Sequence, residues 1–395
     1  DAFLAIDERS RELRTRWVAL RARQTMVGGE AHKLPADKKE TALAALAGIK
    51  NEIKALEEEL PALEKKRDEM ADLLPNPPAP EVPEGKDDTE NVELYRVGKP
   101  PVHDFEVLDH VNYGLKHNLV DFERASRIAG SRTYFLKNEA AILDISIQRM
   151  ALDLARARGF TPMVAPMIVR REAMYGTAYF PGGEEQAYAM EKDESWLIGT
   201  SEVPVTSYHS GEILEERDLP IRMAGISSCF RREAGAAGKD TRGLYRIHQF
   251  NKIEQVIIGK NDDEASKQYH QEILKNSEDL LQLLELPYRV VNVCGGDLGQ
   301  GQIQKFDIET WMPSRGGYGE THSASRFHEF QSRRLNLRYR DADGTLRFCH
   351  TLNNTLIATP RVLIPLLECH QQKDGSVRIP KALAAYTGFD RIPAR

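Results

Sequence analysis

Residues 229–254 have the sequence CFRREAGAAGKDTRGLYRIHQFNKIE, and this stretch decides the fold of the chain around it. The residues before and after its centre, 226–231 and 245–258, have the composition of strands. A small-residue loop with three glycines lies between them and carries Lys239 and Arg242. Two strand-like segments joined by such a loop predict a β-hairpin.

The charges of this hairpin are spaced so that they share a face. Side chains alternate along a strand, so Arg231 and Glu233 point the same way, as do Arg246, Phe250 and Glu254, which are four residues apart. Guanidinium groups bind phosphates through paired N–H donors, and an aromatic ring stacks on a base. The face therefore indicates a nucleotide site, although an exposed, salt-bridged surface is the commoner interpretation of an isolated hairpin.

Composition is that of a globular protein with a large core. The chain has 395 residues, 41% of them hydrophobic, and a formal net charge of −6, so any surface for nucleic acid must be local. Its four cysteines lack CxxC spacing, which argues against a disulfide framework and a structural zinc site. The sequence contains neither an apolar run long enough for a membrane span nor a signal-peptide pattern, and we expect neither feature.

The hairpin sequence resembles motif 2 of the class II aminoacyl-tRNA synthetases. FRRE, the glycine-bearing loop and RIHQF have the form found in the seryl-tRNA synthetase family, and the resemblance extends through nearly the whole chain. It implies activation of L-serine by ATP to seryl-adenylate and transfer of the seryl group to tRNA(Ser), and also to tRNA(Sec). It further implies a cytoplasmic homodimer that uses Mg²⁺. The chain does not begin with Met and lacks the short helical segment with which family members begin, so we expect it to open inside a longer protein.

The first 74 residues have the apolar spacing of two coiled-coil helices. Apolar residues recur at steps of three, four and seven, at Ile6, Leu13, Trp17, Leu20 and Val27 and then at Ile49, Ile53, Leu56, Leu60, Leu63, Met70 and Leu74. Gly28, Gly29 and residues 35–37 predict a reversal and a helix N-cap, and Pro61 predicts a kink.

Such a pattern more often forms a dimerisation or spacer coil, but the resemblance implies an arm that contacts the long variable arm of the tRNA. The arm carries arginines suited to phosphate contacts, which are equally compatible with a solvated face: Arg9, Arg11, Arg14, Arg16, Arg21 and Arg23.

The predicted fold class is α+β. Strands around motif 2 predict a mostly antiparallel sheet flanked by helices, because the glycine fingerprint of a parallel Rossmann sheet is absent. The predicted domains are an antiparallel coiled-coil arm over 1–74, a proline-rich linker over 75–99 and a class II catalytic domain over 100–395.

Two segments before the hairpin match family motifs. A helix over 138–158 followed by an extended segment over 160–169 resembles motif 1, which implies the homodimer interface, although by itself it is a generic helix and strand. Residues 199–202 follow a short apolar strand and resemble the family signature in which Thr200 and Glu202 help to hold serine and ATP. Without that resemblance, the same residues predict a helix N-cap.

Two segments after the hairpin complete the predicted site. Glu320 and Ser323 have the oxygen ligands that Mg²⁺ prefers, and the resemblance assigns them to the metal bound to ATP. Residues 351–355 precede a predicted apolar helix over 356–368 that carries Arg361, and together they resemble motif 3. An arginine near the start of an apolar helix either reaches solvent or pairs with an anion, and the resemblance implies that the anion is the γ-phosphate of ATP. We expect a structural role for His322.

The resemblance gives each predicted site residue a role. Arg231, Arg361 and Glu320 are implied in catalysis. The implied serine site comprises Thr200, Glu202, Arg231, Glu254, Asn353 and Thr355, and in it Glu254 is implied to hold the ammonium and, with Thr355, the hydroxyl. The implied ATP site comprises Arg231, Glu233, Arg246, Phe250, Glu320, Ser323 and Arg361. Two alternatives remain at this point: a related ligase that loads a carrier protein, and a non-catalytic paralogue that binds tRNA.

Overall fold

The computed structural model describes residues 1–31, 35–235 and 242–395. The chain divides into two compact units, residues 1–74 and 75–395. Among the described residues, every helix is too short or too polar to span a membrane.

The first unit is a pair of antiparallel helices, α1 (Ala2–Ala31) and α2 (Ala36–Ala71). Their buried seam consists of predicted positions: Leu13, Leu20, Ile49, Ile53, Leu56 and Leu60, with Trp17, Val27 and Leu63 packed against them. The helix α1 continues through Gly28 and Gly29, so these residues do not make the predicted reversal, and residues 32–34 lie outside the described part. Pro35 takes the N-cap position of α2, and α2 is unbroken at Pro61.

Arginines of the arm pair with glutamates across the two helices. Arg16 contacts Glu52 at 2.7 Å, and Arg9, Arg14 and Arg21 contact Glu59, Glu64 and Glu57. Solvent and salt screen exposed pairs of this kind, so the apolar seam provides most of the stability of the arm.

The second unit contains the remaining helices and all the strands of the described residues. Its helices are α3 (His110–Lys116), α4 (Phe122–Ala129), α5 (Asn138–Ala157), α6 (Arg171–Gly176), α7 (Glu202–Thr206), α8 (Asp263–Leu283), α9 (Phe330–Arg334), α10 (Leu363–Cys369) and α11 (Lys381–Thr387). Its strands are β1 (Val92–Val97), β2 (Val120–Asp121), β3 (Phe135–Leu136), β4 (Thr161–Val164), β5 (Ile168–Arg170), β6 (Tyr188–Met190), β7 (Ser195–Leu197), β8 (Ile213–Glu215), β9 (Ile221–Phe230), β10 (Gln249–Gly259), β11 (Tyr288–Asn292), β12 (Gln304–Met312), β13 (Gly317–His328), β14 (Arg338–Arg340), β15 (Leu346–Phe348), β16 (His350–Thr359), β17 (Val377–Arg378) and β18 (Arg391–Ile392).

An eight-stranded sheet organises this unit, with strand order β1-β11-β12-β13-β16-β10-β9-β4. All neighbouring strands are antiparallel except β4 and β9. Helices α5 and α8 contribute Leu143, Ile147, Ile273 and Leu280 to the main core beneath the sheet. The predicted mostly antiparallel sheet with flanking helices is confirmed.

Two predicted elements differ from the observed ones. Residues 356–359 belong to β16, and the helix begins only at Leu363, so the predicted helix over 356–368 is wrong in its first part. Arg361 lies in the turn between the two elements. The predicted return strand over 245–258 begins instead at Gln249.

The proline-rich segment after the arm is bonded to the second unit. Asn76 donates through its side-chain amide to the carbonyl oxygens of Gly301 and Phe327, and the N–H of Ala79 donates to the carbonyl of Ile303. The end of the same segment forms the edge strand β1.

Candidate active site

A cavity of about 200 Å³ lies on the face of the sheet opposite the main core. Alternation along β10 produces this division: Ile253 and Ile257 enter the core, whereas Phe250, Lys252 and Glu254 line the cavity. Most of the predicted site residues also line it: Glu202, Arg231, Glu233, Phe250, Glu254, Glu320, Ser323, Asn353, Thr355 and Arg361. Side chains from three strands (β10, β13 and β16), from helix α7, and from the loop and turn that carry Arg231, Glu233 and Arg361 therefore meet at one place.

Two predicted residues do not line the cavity. The hydroxyl of Thr200 accepts a hydrogen bond from the N–H of Glu202 at 3.2 Å, whereas Ser201 takes the N-cap position of α7. Arg246 donates to the Glu233 carboxylate at 2.6 Å. Thr200 and Arg246 therefore lie one contact behind Glu202 and Glu233.

Close packing positions Glu202. A Cβ on Gly225 of β9 would lie 2.7 Å from Val205 and 2.9 Å from the Cβ of Ser201, so only glycine lets the first turn of α7 pack this near to the sheet. Ser201 also donates its hydroxyl hydrogen to the carbonyl of Gly225 at 3.1 Å. The side chain of Glu202, at the first position of α7, is thereby held in the cavity wall.

Arg231 lies just beyond the end of β9. The strand ends at Phe230, so the predicted alternation of Arg231 with Glu233 along one strand face is wrong, and Glu233 has a left-handed backbone with φ of 54°. Both side chains nevertheless reach the cavity. The Nε of Arg231 donates to the carbonyl of Gly199 at 3.2 Å, and its guanidinium carbon lies 5.2 Å from the ring centroid of Phe250. Lys239, in the same loop, lies outside the described residues.

One end of the cavity holds a buried acidic pair with a lysine. The Nζ of Lys252 lies 2.6 Å from Oε2 of Glu254, and the hydroxyl of Thr355 donates to the same oxygen at 3.5 Å. Glu202 accepts hydrogen bonds from Gln331 at 2.9 Å and from the hydroxyl of Tyr179 at 3.3 Å. Burial and the nearby charge of Glu254 raise the pKa of the Glu202 carboxyl to about 7, against the opposing effect of Lys252.

The other end of the cavity holds Arg361. Its Nε donates to the carbonyl of Tyr245 at 3.2 Å, its Nη1 donates to the carbonyl of Glu320 at 3.0 Å, and the carboxylate of Glu320 lies 3.7 Å away. The guanidinium groups of Arg361 and Arg315 lie 4.5 and 4.3 Å from the ring centroid of Tyr245. Arg361 lines the cavity and Arg315 does not, so the guanidinium of Arg361 is the group that makes this end suited to an anion.

Oxygen groups cluster beside Arg361. Glu320 and Ser323 lie on β13, and Asp307 is opposite Ser323 in the register of β12. Asp307 is buried, its Oδ1 has no hydrogen-bond partner, and its Oδ2 lies 3.3 Å from Nζ of Lys305. Burial raises the pKa of the Asp307 carboxyl, and the ammonium of Lys305 opposes the rise.

His322 lies on β13 between these residues but is buried, and its Nδ1 is 2.8 Å from the hydroxyl oxygen of Thr321. Burial and the charge of Arg361 lower its pKa to about 3, so its ring is neutral near pH 7.

The sequence patterns did not indicate four of these residues. Lys252 lies two positions from Glu254 on one strand, so the spacing argument that linked Phe250 to Glu254 also places Lys252 on that face. Tyr179, Asp307 and Gln331 have no such signal, because they reach the site from elements that only the tertiary fold brings together.

Comparison with known proteins agrees with this architecture. Residues 187–370 match the model of the tRNA synthetase class II core domain (G, H, P, S and T), so the fold and cavity define a class II aminoacyl-tRNA synthetase. Residues 1–78 match the seryl-tRNA synthetase N-terminal domain. The serine--tRNA ligase of Deinococcus radiodurans is 49% identical over 86% of this chain and 80% of the relative, and that of Methanocella arvoryzae is 44% identical over 98% and 91%. The chain therefore belongs to the seryl-tRNA synthetase family.

Solved structures show the same relationship. The seryl-tRNA synthetase from Pyrococcus horikoshii complexed with ATP has a TM-score of 0.95 and 40% identity, over 100% of this chain and 93% of that one. The cytoplasmic serine-tRNA ligase of Naegleria fowleri in complex with AMP has a TM-score of 0.88 and 29% identity, over 100% and 92%.

Proposed function

We propose that this cavity joins L-serine to ATP and then passes the seryl group to tRNA(Ser). The carrying observation is the order of charges along one cavity: a lysine and two buried carboxylates at one end, Arg231 in the middle, and Arg361 with Glu320 at the other end. That order matches an amino acid followed by a nucleotide triphosphate. Membership of the seryl-tRNA synthetase family identifies the amino acid as serine and the nucleotide as ATP.

In the first step the serine carboxylate attacks the α-phosphorus of ATP, a P–O bond forms, and pyrophosphate leaves. Two anions must approach each other, and Arg231 provides a guanidinium that binds both the carboxylate and the α-phosphate. Phe250 stacks against adenine, and Arg361 binds the γ-phosphate as negative charge moves to the leaving group. The serine carboxylate is itself the nucleophile, so no protein nucleophile or base takes part.

Serine is held by its three polar groups. Arg231 takes the carboxylate. Lys252 already provides the counter-charge for Glu254, so Glu202 is the carboxylate left for the ammonium of the substrate. Glu254, Thr355 and Asn353 then surround the hydroxyl. A site built to hydrogen-bond a hydroxyl rejects alanine, because the polar groups of the site are left unpaired in its absence.

The cluster of Glu320 and Ser323 fits Mg²⁺. The described residues contain no group of three or more His, Cys, Asp and Glu side chains arranged to hold a metal by themselves. One carboxylate and one hydroxyl with phosphate oxygens suit Mg²⁺, which usually keeps water and substrate ligands. The unpartnered Oδ1 of Asp307 adds an acceptor beside this cluster. When bound, Mg²⁺ neutralises the charge on the phosphate oxygens.

The N-terminal arm is the proposed contact for tRNA. It matches the N-terminal domain of the family over residues 1–78, and its exposed arginines suit phosphates recognised by shape. tRNA(Sec) is a second proposed substrate, and the cytoplasm is the proposed location.

A homodimer is the proposed assembly. The motif 1 helix and strands expose Ile145 with 65% and Val164 with 84% of their surface, together with Ile142, Met167 and Ile168. A cluster of exposed aliphatic side chains is typical of an interface.

Serine-dependent exchange of labelled pyrophosphate into ATP tests the proposal. We expect exchange with serine and not with alanine or threonine, followed by charging of tRNA. Arg231→Ala should lose exchange by at least about a hundredfold, whereas Arg232→Ala, which alters the neighbouring exposed arginine, should retain it. Near-normal exchange by Arg231→Ala would refute the mechanism. Exchange without charging would favour a carrier-protein ligase, and no exchange with any amino acid would favour a non-catalytic tRNA-binding protein.

A further inference from the structure

Lys252 is a buried cation of the cavity that the proposed reaction does not bring into contact with a substrate. Its side chain is 6% exposed, its partner Glu254 is 2% exposed, and both line the cavity. The two residues lie on one face of β10, so the backbone of a central strand fixes their spacing.

The two carboxylate oxygens of Glu254 differ in their contacts. Lys252 and the hydroxyl of Thr355 both contact Oε2. The other oxygen, Oε1, is therefore the one available to a ligand. Lys252 thus holds Oε2 and neutralises the charge of the carboxylate, while Oε1 stays free to accept a hydrogen bond.

The charges of the amino-acid end then balance in pairs. Glu202 faces the substrate ammonium, Arg231 faces the substrate carboxylate, and Lys252 faces Glu254. The pocket for the substrate side chain is therefore polar but has no net charge. A neutral hydroxyl can enter it as a donor to Oε1. A second ammonium of the same size would meet the ammonium of Lys252, and like charges in a buried site repel strongly.

We propose that Lys252 is a specificity-determining residue that makes the side-chain pocket accept a neutral hydroxyl and exclude a cationic side chain. This inference rests on the proposed function and assigns a further residue to its serine site. Without Lys252, burial raises the pKa of the Glu254 carboxyl further, so this group is either protonated or paired with a cation that the substrate supplies, and an amino acid with a cationic side chain supplies that partner. Its preferred substrate becomes L-2,3-diaminopropionate, which replaces the hydroxyl of serine with an amine of nearly the same size.

The test compares serine with L-2,3-diaminopropionate in pyrophosphate exchange slightly above neutrality, where Glu202 is ionised and the side-chain amine of the diamine is still protonated. The protein without substitutions should activate serine only. In Lys252→Met, kcat/KM for serine should fall by about a hundredfold, and the ratio of diaminopropionate to serine should rise by at least about a hundredfold. Lys252→Arg keeps the cation and should keep the preference for serine.

Three further variants separate specificity from folding. Lys252→Gln keeps a donor to Glu254 and should also raise the ratio, which tests the inference if the methionine variant does not fold. Glu254→Gln should lose serine without gaining the diamine. The double variant Lys252→Met with Glu254→Gln should lose the preference for the diamine. A ratio that stays unchanged in both Lys252→Met and Lys252→Gln would overturn the inference alone, whereas absence of serine exchange in the unsubstituted protein would overturn the proposed function.

Discussion

On the proposed function, Glu202 holds the substrate ammonium as a carboxylate, so serine binding should weaken as the pH falls through about 7. Burial and the neighbouring charge of Glu254 raise its carboxyl pKa from 4.5 to about 7. A shift of that size corresponds to about 3.4 kcal/mol, at roughly 1.4 kcal/mol per pKa unit. The ammonium of Lys252 opposes this rise in the pKa of Glu202. Tyr179 and Gln331 donate hydrogen bonds to the Glu202 carboxylate.

The raised pKa of Glu202 also makes the free energy of unfolding depend on pH. Between pH 4.5 and about 7 the folded protein binds the Glu202 proton and the unfolded chain does not. The contribution of this group to the free energy of unfolding therefore falls as the pH rises through that window. The ammonium of serine provides a counter-charge, so bound serine offsets the loss and releases a proton.

The KM for serine in pyrophosphate exchange, at saturating ATP, measures the effect. It should rise about tenfold between pH 8 and pH 6. Calorimetry in buffers of different ionisation enthalpy should show that serine binding releases up to about one proton per site below pH 7. Gln331→Leu removes the donor 2.9 Å from Glu202 and should move the inflection to higher pH. Glu202→Gln, the control, should give a high and flat KM.

A KM for serine that is constant over this range in the unsubstituted protein would refute the reasoning. An inflection that Gln331→Leu leaves in place would instead show that a group other than Glu202 titrates.

Three other perturbations have definite expected outcomes. Thr355→Val keeps the shape of the cavity wall but removes the hydroxyl, so kcat/KM for serine should fall by about 10-fold to 100-fold while the KM for ATP stays the same. Thr355→Ser keeps a hydroxyl and should retain activity. Equal losses for the two variants would contradict a role for the hydroxyl. Ile145→Asp should convert the proposed dimer to a monomer in sedimentation velocity. Leu346→Asp, which changes an exposed residue of β15, should leave the dimer intact. A dimer that persists in Ile145→Asp places the interface elsewhere. The pKa of His322 is lowered from 6.5 to about 3, so the stability that its neutral ring contributes above pH 6.5 is lost on acidification, by on the order of 4 kcal/mol at pH 3. His322→Gln should therefore unfold at lower pH than the unsubstituted protein, as followed by circular dichroism. An unchanged acid midpoint is evidence against a neutral buried ring.

The regular helices and the coiled-coil seam were predictable because one face of each is buried and the other is exposed. The α5 helix lies within one residue of its predicted bounds, and the buried seam positions of the arm follow the heptad spacing. The helix predicted over 356–368 failed for the opposite reason. Every residue of β16 is buried, since the strand lies between β13 and β10, with the main core on one face and the walls of the cavity around the other. A strand buried on both faces has no alternation to distinguish it from an apolar helix.

The site residues were predictable where a motif on one strand carries several of them, as with Phe250 and Glu254. Tyr179 and Gln331 were not, because their contact with Glu202 depends on elements that are distant in the sequence. The three-dimensional structure also adds Lys252 to the spacing argument, since burial of the ion pair shows that its charge is not solvated.

The pairing of β10 with β16 has a consequence for how the protein is made. Glu254 lies opposite Thr355 in this ladder, and Arg361 follows Pro360 after the end of β16. During synthesis, a growing chain that already contains the arm and motif 2 still lacks one wall of its nucleotide cavity until these late residues leave the ribosome. Catalytic competence is therefore gained only after residues 350–361 have been synthesised, and a chain terminated before them keeps the two helices of the arm but has no assembled cavity.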